Sequence, residues 1–240
     1  MSLYDKSSLL QVPSLYKDGT LVSTIPEDRS GDFTVSRGSN LAATRIGPDG
    51  YIKKGYENLL LQSNTFSDAA WGQVGLTLTG GQAGYDGSNN AWLLESTNTV
   101  GSYMPQTVSC SGIQTLSIYA KAGTAGYVYV LQIGSNAKAA YFDLTTGTTG
   151  NKVNLPVNSL IEEVGNGWYR CSLIVDDNTS SVRIYVTDSN GPNTSSIGSN
   201  IYIQDAQLNQ GLVAYPYLET TTAPAQGGLL ENTPRLDWSN

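Results

Sequence analysis

The chain of 240 residues has 13 Lys plus Arg, 20 Asp plus Glu and no His, and only 14% of its residues are charged. The absence of His excludes Ser-His-Asp and Cys-His nucleophilic chemistry and His-ligated metal sites. The net charge of -7 argues against a nucleic-acid partner, because that affinity depends on Lys and Arg that neutralise phosphates. The 26 Gly and 15 Tyr favour a β-rich scaffold with an uncharged polar surface.

The start of the chain and its apolar runs give no sign of a membrane protein. The first residues lack the apolar stretch of a secretory signal, so we expect no signal peptide. No apolar run approaches the roughly 18 residues of a membrane span, so no membrane insertion is expected. For Cys110 and Cys171 we expect two small buried side chains; a bridge between neighbouring strands is the alternative.

Residues 1–56 form a first region, in which short apolar clusters alternate with turn signals such as Ser30-Gly31-Asp32. The region has seven basic and six acidic residues and a charge of +1, whereas the rest of the chain carries -8. It shows no helical periodicity and too few apolar residues for a core of its own. We therefore predict an extended arm over 1–56, with short strands, that packs on another surface.

From residue 57 to residue 220, strand-like segments follow one another. Apolar and polar residues alternate with period two at 76–79, 115–121 and 182–187, as in half-buried strands. Gly and Asn turns separate these segments at roughly 10 to 15 residues, a spacing typical of sandwiches. The sequence predicts an all-β fold: an antiparallel β-sandwich (jelly roll) over 57–220, followed by a linker and a short docking tail over 221–240.

Several segments carry a family resemblance. They are 57–64 (ENLLLQSN) with Trp71, 116–122 (LSIYAKA), 165–172 (GNGWYRCS), and 201–211 (IYIQDAQLNQG) leading into 215–217; in the arm 31–39, 43–45 and 49–52; and 232–237 in the tail. They resemble a jelly-roll module of bacteriophage tail and virion structural proteins. That module is in turn similar to carbohydrate-binding modules of the concanavalin-like and galactose-binding-like type.

The resemblance implies a non-enzymatic structural component of a phage virion: a tail fibre, head fibre or decoration subunit. Such a subunit is assembled in the host cytoplasm and exposed on the particle surface, with other capsid or tail proteins as partners and as a homo-oligomer, preferably a trimer. The arm is expected to anchor it to the virion, through Arg29, Arg37, Arg45 and Phe33. The alternatives are a decoration or collar protein with no glycan ligand, and a carbohydrate-binding module of a secreted bacterial enzyme.

Tyrosines on the outer faces of the strands are the predicted contacts for a host-surface glycan, because the C–H face of a sugar packs on an aromatic ring. Period two places Tyr127 and Tyr129 on one face. The full set of candidates is Tyr127, Tyr129, Tyr119, Tyr141, Tyr185 and Trp71. The alternative is that these rings cover the sheet or form subunit contacts. For Trp168 followed by Arg170, sugar stacking competes with a buried Trp that anchors two sheets.

No cofactor is expected, except that the resemblance allows a structural Ca²⁺ ion held by oxygen atoms. Its candidate ligands are Asp205, Glu57 and Asn64. No catalytic residues are assigned, since a glycosidase needs two carboxylates across a cleft. Glu162 and Glu163 are adjacent and would face opposite sides of a strand, so they cannot form such a pair.

Overall fold

The structure, a computed structural model, describes residues 7–17, 20–28, 30–34, 44–46, 52–54 and 57–226. Over these residues the chain is all-β with antiparallel pairing, and the predicted antiparallel sandwich is confirmed. The described residues contain no helix that is long and apolar enough to cross a membrane. By its internal contacts, Glu57–Ala225 forms one compact unit, and the described residues before it belong to another.

The described part of the arm consists of short strands. They are β1 (Leu10–Lys17), β2 (Thr20–Ile25), β3 (Phe33–Thr34), β4 (Thr44–Ile46) and β5 (Ile52–Lys54). β1, β2 and β3 form one antiparallel sheet in that order, and β4 and β5 form a separate pair. The N–H and Oγ of Ser23 both donate to Asp32 Oδ1, at 2.6 and 3.0 Å, which holds the segment before β3 against β2.

The compact unit is built from short and long strands. They are β6 (Glu57–Asn58), β7 (Leu76–Gln82), β8 (Ala91–Ser96), β9 (Tyr103–Ala122), β10 (Tyr127–Ile133), β11 (Ala137–Asp143), β12 (Thr148–Val153), β13 (Asn158–Gly165), β14 (Trp168–Thr187), β15 (Asn200–Gln210) and β16 (Ala225–Gln226). Strands β7 to β15 form one hydrogen-bonded sheet in the order β12-β11-β10-β14-β9-β15-β8-β7, with β13 also paired to β14. β6 pairs with β16.

Two long strands turn this single sheet into a two-layer sandwich. β9 and β14 have 20 residues each and pair with one another along nearly their whole length. At one end, residues 181–187 of β14 pair with β10, and at the other end β14 pairs with β13 and β9 pairs with β15. Between the two ends, Gly112 has a left-handed φ of 77°, which favours glycine. We call the β10–β12 end the first layer and the β15 end the second layer.

The hydrophobic core lies between the layers. Apolar residues of both layers belong to one buried cluster: Val128, Val130, Phe142 and Ile184 from the first layer, and Leu116, Ile118, Leu173, Ile201 and Ile203 from the second. A polar contact also crosses the core, since Gln132 Nε2 donates to Leu173 O at 3.1 Å. Cys110 and Cys171 are both free thiols buried in this cluster.

The fully buried side chain of Asn58 ties the start of the sandwich to its last strand and to the segment that follows. Its Nδ2 donates to Ala206 O (3.0 Å) and Leu218 O (2.8 Å). Its Oδ1 accepts from Leu60 N–H (3.2 Å) and Leu208 N–H (3.1 Å). A side-chain amide has two donors and two acceptor lone pairs, so every hydrogen-bonding position of Asn58 is used.

Asn58→Leu should destabilise the sandwich strongly, because it leaves two buried carbonyls and two buried N–H groups without partners. Each such group costs about 1–3 kcal/mol, so we expect the free energy of unfolding to fall by about 3 kcal/mol or more. Urea unfolding followed by circular dichroism measures the change. The exposed Asn136 provides a control, since Asn136→Leu should cost less than about 1 kcal/mol. Equal unfolding midpoints for the two variants would contradict the assignment.

Candidate functional site

Four tyrosines form a row across the outer face of the first layer. Tyr103 of β9 is paired with Tyr185 of β14, Tyr185 with Tyr129 of β10, and Tyr129 with Tyr141 of β11. Residues next to them, such as Ile184, lie in the core, so the alternation of the strands directs the tyrosines away from it. At the usual strand spacing, this tyrosine row spans about 14 Å.

The rings of the tyrosine row pack on one another. Tyr103 and Tyr185 stack at 4.6 Å between centroids, Tyr129 and Tyr141 stack at 4.3 Å, and Tyr129 and Tyr185 are tilted at 5.1 Å. Tyr129, Tyr141 and Tyr185 are only 8%, 5% and 4% exposed, whereas Tyr103 is half-buried. Burial raises the pKa of Tyr129 to about 12, so its hydroxyl is neutral at physiological pH and available as a hydrogen-bond donor.

A charged acceptor flanks the row on one side. Tyr127 precedes Tyr129 on the same face of β10, and its hydroxyl donates to Asp143 Oδ2 at 3.0 Å. Burial opposes ionisation of Asp143, but hydrogen bonds from Thr145 and Thr146 outweigh it and lower the pKa of Asp143 to about 2. Asp143 is therefore an ionised carboxylate at neutral pH.

A cation flanks the row on the other side. Arg183 lies two residues before Tyr185 on the same face of β14, between the cross-strand neighbours Leu131 and Pro105. Its guanidinium carbon lies 4.8 Å from the centroid of the Tyr103 ring, and its Nη1 donates to Tyr185 Oη at 3.4 Å. Its Nε is buried and has no hydrogen-bond partner.

The second layer carries a different aromatic cluster on its outer face. Tyr119 and Trp168, which are 8% and 2% exposed, pack there with the half-buried Tyr85, Tyr202 and Tyr217. Tyr85 comes from the loop between β7 and β8, and its ring stacks on Tyr119 at 3.8 Å with an interplanar angle of 6°. The predicted glycan contact Tyr119 is thus separated from the tyrosine row and covered by another ring.

The segment 211–220, which we call the strap, lies along the outer face of the second layer. Arg170 donates to Tyr215 O and Ala214 O, and Gln207 Nε2 also donates to Tyr215 O. Gln207 Oε1 accepts from Leu218 N–H at 2.8 Å. Polar side chains of the sheet are thus hydrogen-bonded to the strap backbone. In the segment 168–170, Trp168 is therefore buried and Arg170 binds the backbone of the strap.

Asp205 lies beneath Tyr85 at the edge of this cluster. Tyr85 Oη donates to Asp205 Oδ2 at 2.9 Å, and the backbone N–H of Asp205 donates to Asn64 Oδ1 at 3.1 Å. Burial raises the pKa of Asp205 to about 6. Glu57, the third predicted calcium ligand, is buried near Cys110, where its charge adds to burial in raising the pKa of that thiol.

The structure thus brings two of the three predicted calcium ligands together, Asn64 and Asp205. Within the described part of the chain, no three His, Cys, Asp or Glu side chains form a group that could hold a metal ion. The Asn64 Oδ1 accepts one hydrogen bond, from the backbone N–H of Asp205. The calcium site stays a prediction.

The remaining predicted site residues lie elsewhere. Trp71 is 2% exposed in the main core, where it packs edge-on against Phe66 at 5.3 Å, so its ring offers no face to a sugar. The backbones of Phe33 and Arg45 lie in β3 and β4. Their side chains are outside the described residues, as are Arg29 and Arg37 entirely, and the anchoring role of these residues stays a prediction.

Three members of the site, Tyr103, Asp143 and Arg183, are not among the sequence candidates. The period-two alternation of residues 182–187 already places Arg183 and Tyr185 on one face, so this signal was available. Tyr103 had no comparable signal, because its place beside Tyr185 depends on the pairing register of two strands far apart in sequence.

Comparisons with known proteins found similar solved structures but no family. No protein-family model matches the chain, and no curated protein matches it. Among solved structures it is similar to the CBM22-1–GH10 modules of Clostridium thermocellum xylanase 10B, complexed with xylohexaose (TM-score 0.38, 15% identity, 68% of this chain and 30% of that chain). It is also similar to a variant of a family 29 carbohydrate-binding module (0.37, 11%, 64% and 89%). A third is the enzymatically active domain of tailspike protein 4 of bacteriophage CBA120 (0.37, 20%, 63% and 21%). At such TM-scores these likenesses carry no functional argument.

Asp205→Asn should stabilise the protein at neutral pH and leave it unchanged in acid. The folded-state pKa of about 6 lies above the ordinary 3.8, so the fold favours the protonated acid. The contribution of Asp205 to stability is therefore fully present below pH 4, is lost as pH rises through 6, and stays absent above it. The amide should therefore gain up to about 3 kcal/mol at pH 7.5. Asn also tolerates the φ of 55° found at this position.

Thermal unfolding of wild type and variant at pH 4 and pH 7.5 measures this effect. The exposed Asp176 provides a control for the loss of one negative charge, and Asp176→Asn should show no comparable pH-dependent gain. A stability change of Asp205→Asn that is equal at both pH values would contradict the raised pKa of Asp205.

Proposed function

We propose that the sandwich Glu57–Ala225 is a saccharide-binding module whose ligand lies across the tyrosine row. The supporting observation is the in-register row Tyr103, Tyr185, Tyr129 and Tyr141 on the face that points away from the core. That position usually holds polar side chains in a half-exposed sheet. A strip of rings edged by hydroxyls has the mixed apolar and hydrogen-bonding character that a sugar also has.

The packing of the rings defines how a saccharide binds. Tyr129 stacks on Tyr141, and Tyr185 stacks on Tyr103, so the three buried tyrosines contribute mainly their hydroxyls as hydrogen-bond donors and acceptors. Tyr103 and Tyr127 are half-buried and offer apolar ring surface at the borders of the row. The other face of the sandwich is a weaker candidate, because the strap lies along it.

The proposed module has no catalytic role. A glycosidase needs a general acid with a raised pKa within about 10 Å of a second carboxylate. Here the carboxyl with a raised pKa, Asp205, lies on the second layer under Tyr85. Asp143, beside the tyrosine row, has a lowered pKa and suits an ionised acceptor for sugar hydroxyls. The two carboxylates therefore serve different faces and do not form a pair.

We further propose that the saccharide-binding unit belongs to a phage virion subunit, with the arm joining it to capsid or tail proteins as part of a homo-oligomer, preferably a trimer, on the particle surface. The sequence resemblance of the arm and sandwich segments supports this proposal. The separation of Glu57–Ala225 as its own compact unit is compatible with it. A carbohydrate-binding module of a secreted enzyme would share the same saccharide site.

Removing the two central hydroxyls should weaken saccharide binding without unfolding the protein. In the double variant Tyr129→Phe/Tyr141→Phe the rings stay, so the thermal midpoint should hardly change. The loss of two neutral hydrogen bonds should weaken affinity about tenfold or more. Glycan arrays identify ligands for the wild type, and isothermal titration calorimetry gives the affinities.

Tyr202→Phe provides the matched control, since Tyr202 is half-buried on the second layer and should leave binding unchanged. Absence of any saccharide ligand for the folded wild type would refute the proposed function. If the double variant instead changed the oligomeric mass in solution and not the saccharide affinity, the tyrosine row would be a subunit contact.

Deleting residues 1–56 should give a folded sandwich that no longer joins particles. The remaining compact unit keeps both layers and the core, so circular dichroism should still show a cooperative transition. Incorporation into particles is measured by co-sedimentation with phage particles assembled in the presence of full-length or shortened chain. Equal incorporation of the two chains would rule out anchoring by the arm.

A further inference from the structure

We propose that the saccharide bound on the tyrosine row is acidic, and that the guanidinium of Arg183 binds its carboxylate. The inference rests on the function proposed above and specifies the ligand class of the same site. It starts from the half-buried cation at the Tyr103–Tyr185 end of the row, for which the described residues supply no counter-charge.

The hydrogen bonding of Arg183 is largely unsatisfied. A guanidinium has five N–H donors, and the described residues supply one acceptor, Tyr185 Oη, at the long distance of 3.4 Å. Its Nε is buried without a partner, so an outside ligand would bind at Nη1 and Nη2 of the guanidinium. Its cross-strand neighbours, Leu131 and Pro105, are apolar. Such a partly desolvated charge is stabilised by a bound anion.

This lack of a partner is unusual because the unit is rich in carboxylates. Residues 57–225 contain 12 Asp and Glu and five Lys and Arg. Among the described residues the one ion pair joins Lys138 to Asp177 at 3.3 Å, and it lies at the β10–β11 turn. Asp143, on the other side of the row, is already bound by Tyr127 and by the turn that follows it. No carboxylate of the described chain neutralises Arg183.

Arg170 of the same sandwich has a structural role and can be compared with Arg183. Its guanidinium also lies over a tyrosine ring, that of Tyr119, at 5.4 Å. Unlike Arg183, it donates to the backbone oxygens of Ala214 and Tyr215 in the strap and to Ser117 Oγ. Both arginines lie over a tyrosine ring and have a buried Nε without a partner, but the acceptors of the other Arg170 nitrogens come from the chain, whereas those of Arg183 are supplied by the ligand.

The charges on the two sides of the row orient such a ligand. Along β10, Tyr127 and Asp143 lie on one side of Tyr129, and Leu131 and Arg183 lie on the other. A carboxylate is attracted to the Arg183 side and repelled from Asp143, while uncharged hydroxyls fit the Asp143 side. The planar guanidinium matches a carboxylate through two parallel hydrogen bonds. A pyranose with a carboxylate, as in a uronic or sialic acid, meets these requirements.

The test compares saccharides that differ in one charge. Oligogalacturonate and its methyl ester have the same chain, and only the first carries carboxylates; sialyllactose and lactose form a second pair. With wild-type protein we expect at least one acid to bind about tenfold or more tighter than its neutral partner. Added salt should weaken only the acid. The pair that shows the difference identifies a uronic or a sialic acid as the source of the carboxylate.

Variants assign the preference to Arg183. Arg183→Gln should abolish the difference between acid and neutral partner, because it removes the cation that binds the carboxylate. Arg183→Lys keeps the positive charge but lacks the planar guanidinium, so it should retain part of the preference for the acid. Lys152→Gln, at an exposed position of the edge strand β12, also removes one positive charge and should leave the preference for the acid unchanged.

Equal binding of acid and neutral partner by the wild type would overturn the inference and leave saccharide binding intact. A preference for acid that survives in Arg183→Gln would also overturn it, because another group would then recognise the carboxylate. If the folded wild type bound no saccharide at all, this inference and the proposed function would both fall. The wild-type comparison needs no variant, so it decides the matter even if Arg183→Gln fails to fold.

Discussion

The antiparallel pairing of β9 with β14 is the constraint on which the rest of the structure depends. The two strands share one register over most of their length, and each passes from the first layer to the second. This register sets Tyr119 beside Arg170 at one end, and a register shift between Thr179 and Ser181 sets Tyr103 beside Tyr185 at the other end. Both outer faces of the sandwich, and the core between them, therefore follow from a single pairing.

The two outer faces use similar side chains for opposite purposes. On the second layer, buried glutamine and asparagine side chains and the half-buried Arg170 donate hydrogen bonds to the backbone of the strap, so the chain itself supplies these acceptors. On the first layer the hydroxyls and the guanidinium have few partners within the described chain. Buried polar groups cost free energy unless they are paired. The second layer thus contributes to folding, and the first layer keeps hydrogen-bonding capacity for a ligand.

Local pattern was enough to predict the fold class and which residues share a strand face. The alternation at 182–187 and the shared face of Tyr127 and Tyr129 appear in the structure as the sequence indicates. The sequence did not predict that Tyr119 lies on the other layer, because that depends on how far the long strand β9 continues from the first layer into the second. The burial of Trp71 and the mutual packing of the tyrosine rings depend on contacts between distant segments, which no local pattern encodes.

Asn58 has a consequence for how such a sandwich is combined with other proteins. Its amide joins the strand with which the sandwich begins to Leu218, near the sandwich's last residues, and β6 also pairs with β16. The points where the chain enters and leaves the sandwich are therefore neighbours. A unit with adjacent ends can be inserted into a surface loop of a host protein without stretching that loop or disturbing its own core. With adjacent ends, the sandwich can also be transferred from one protein to another as a single unit.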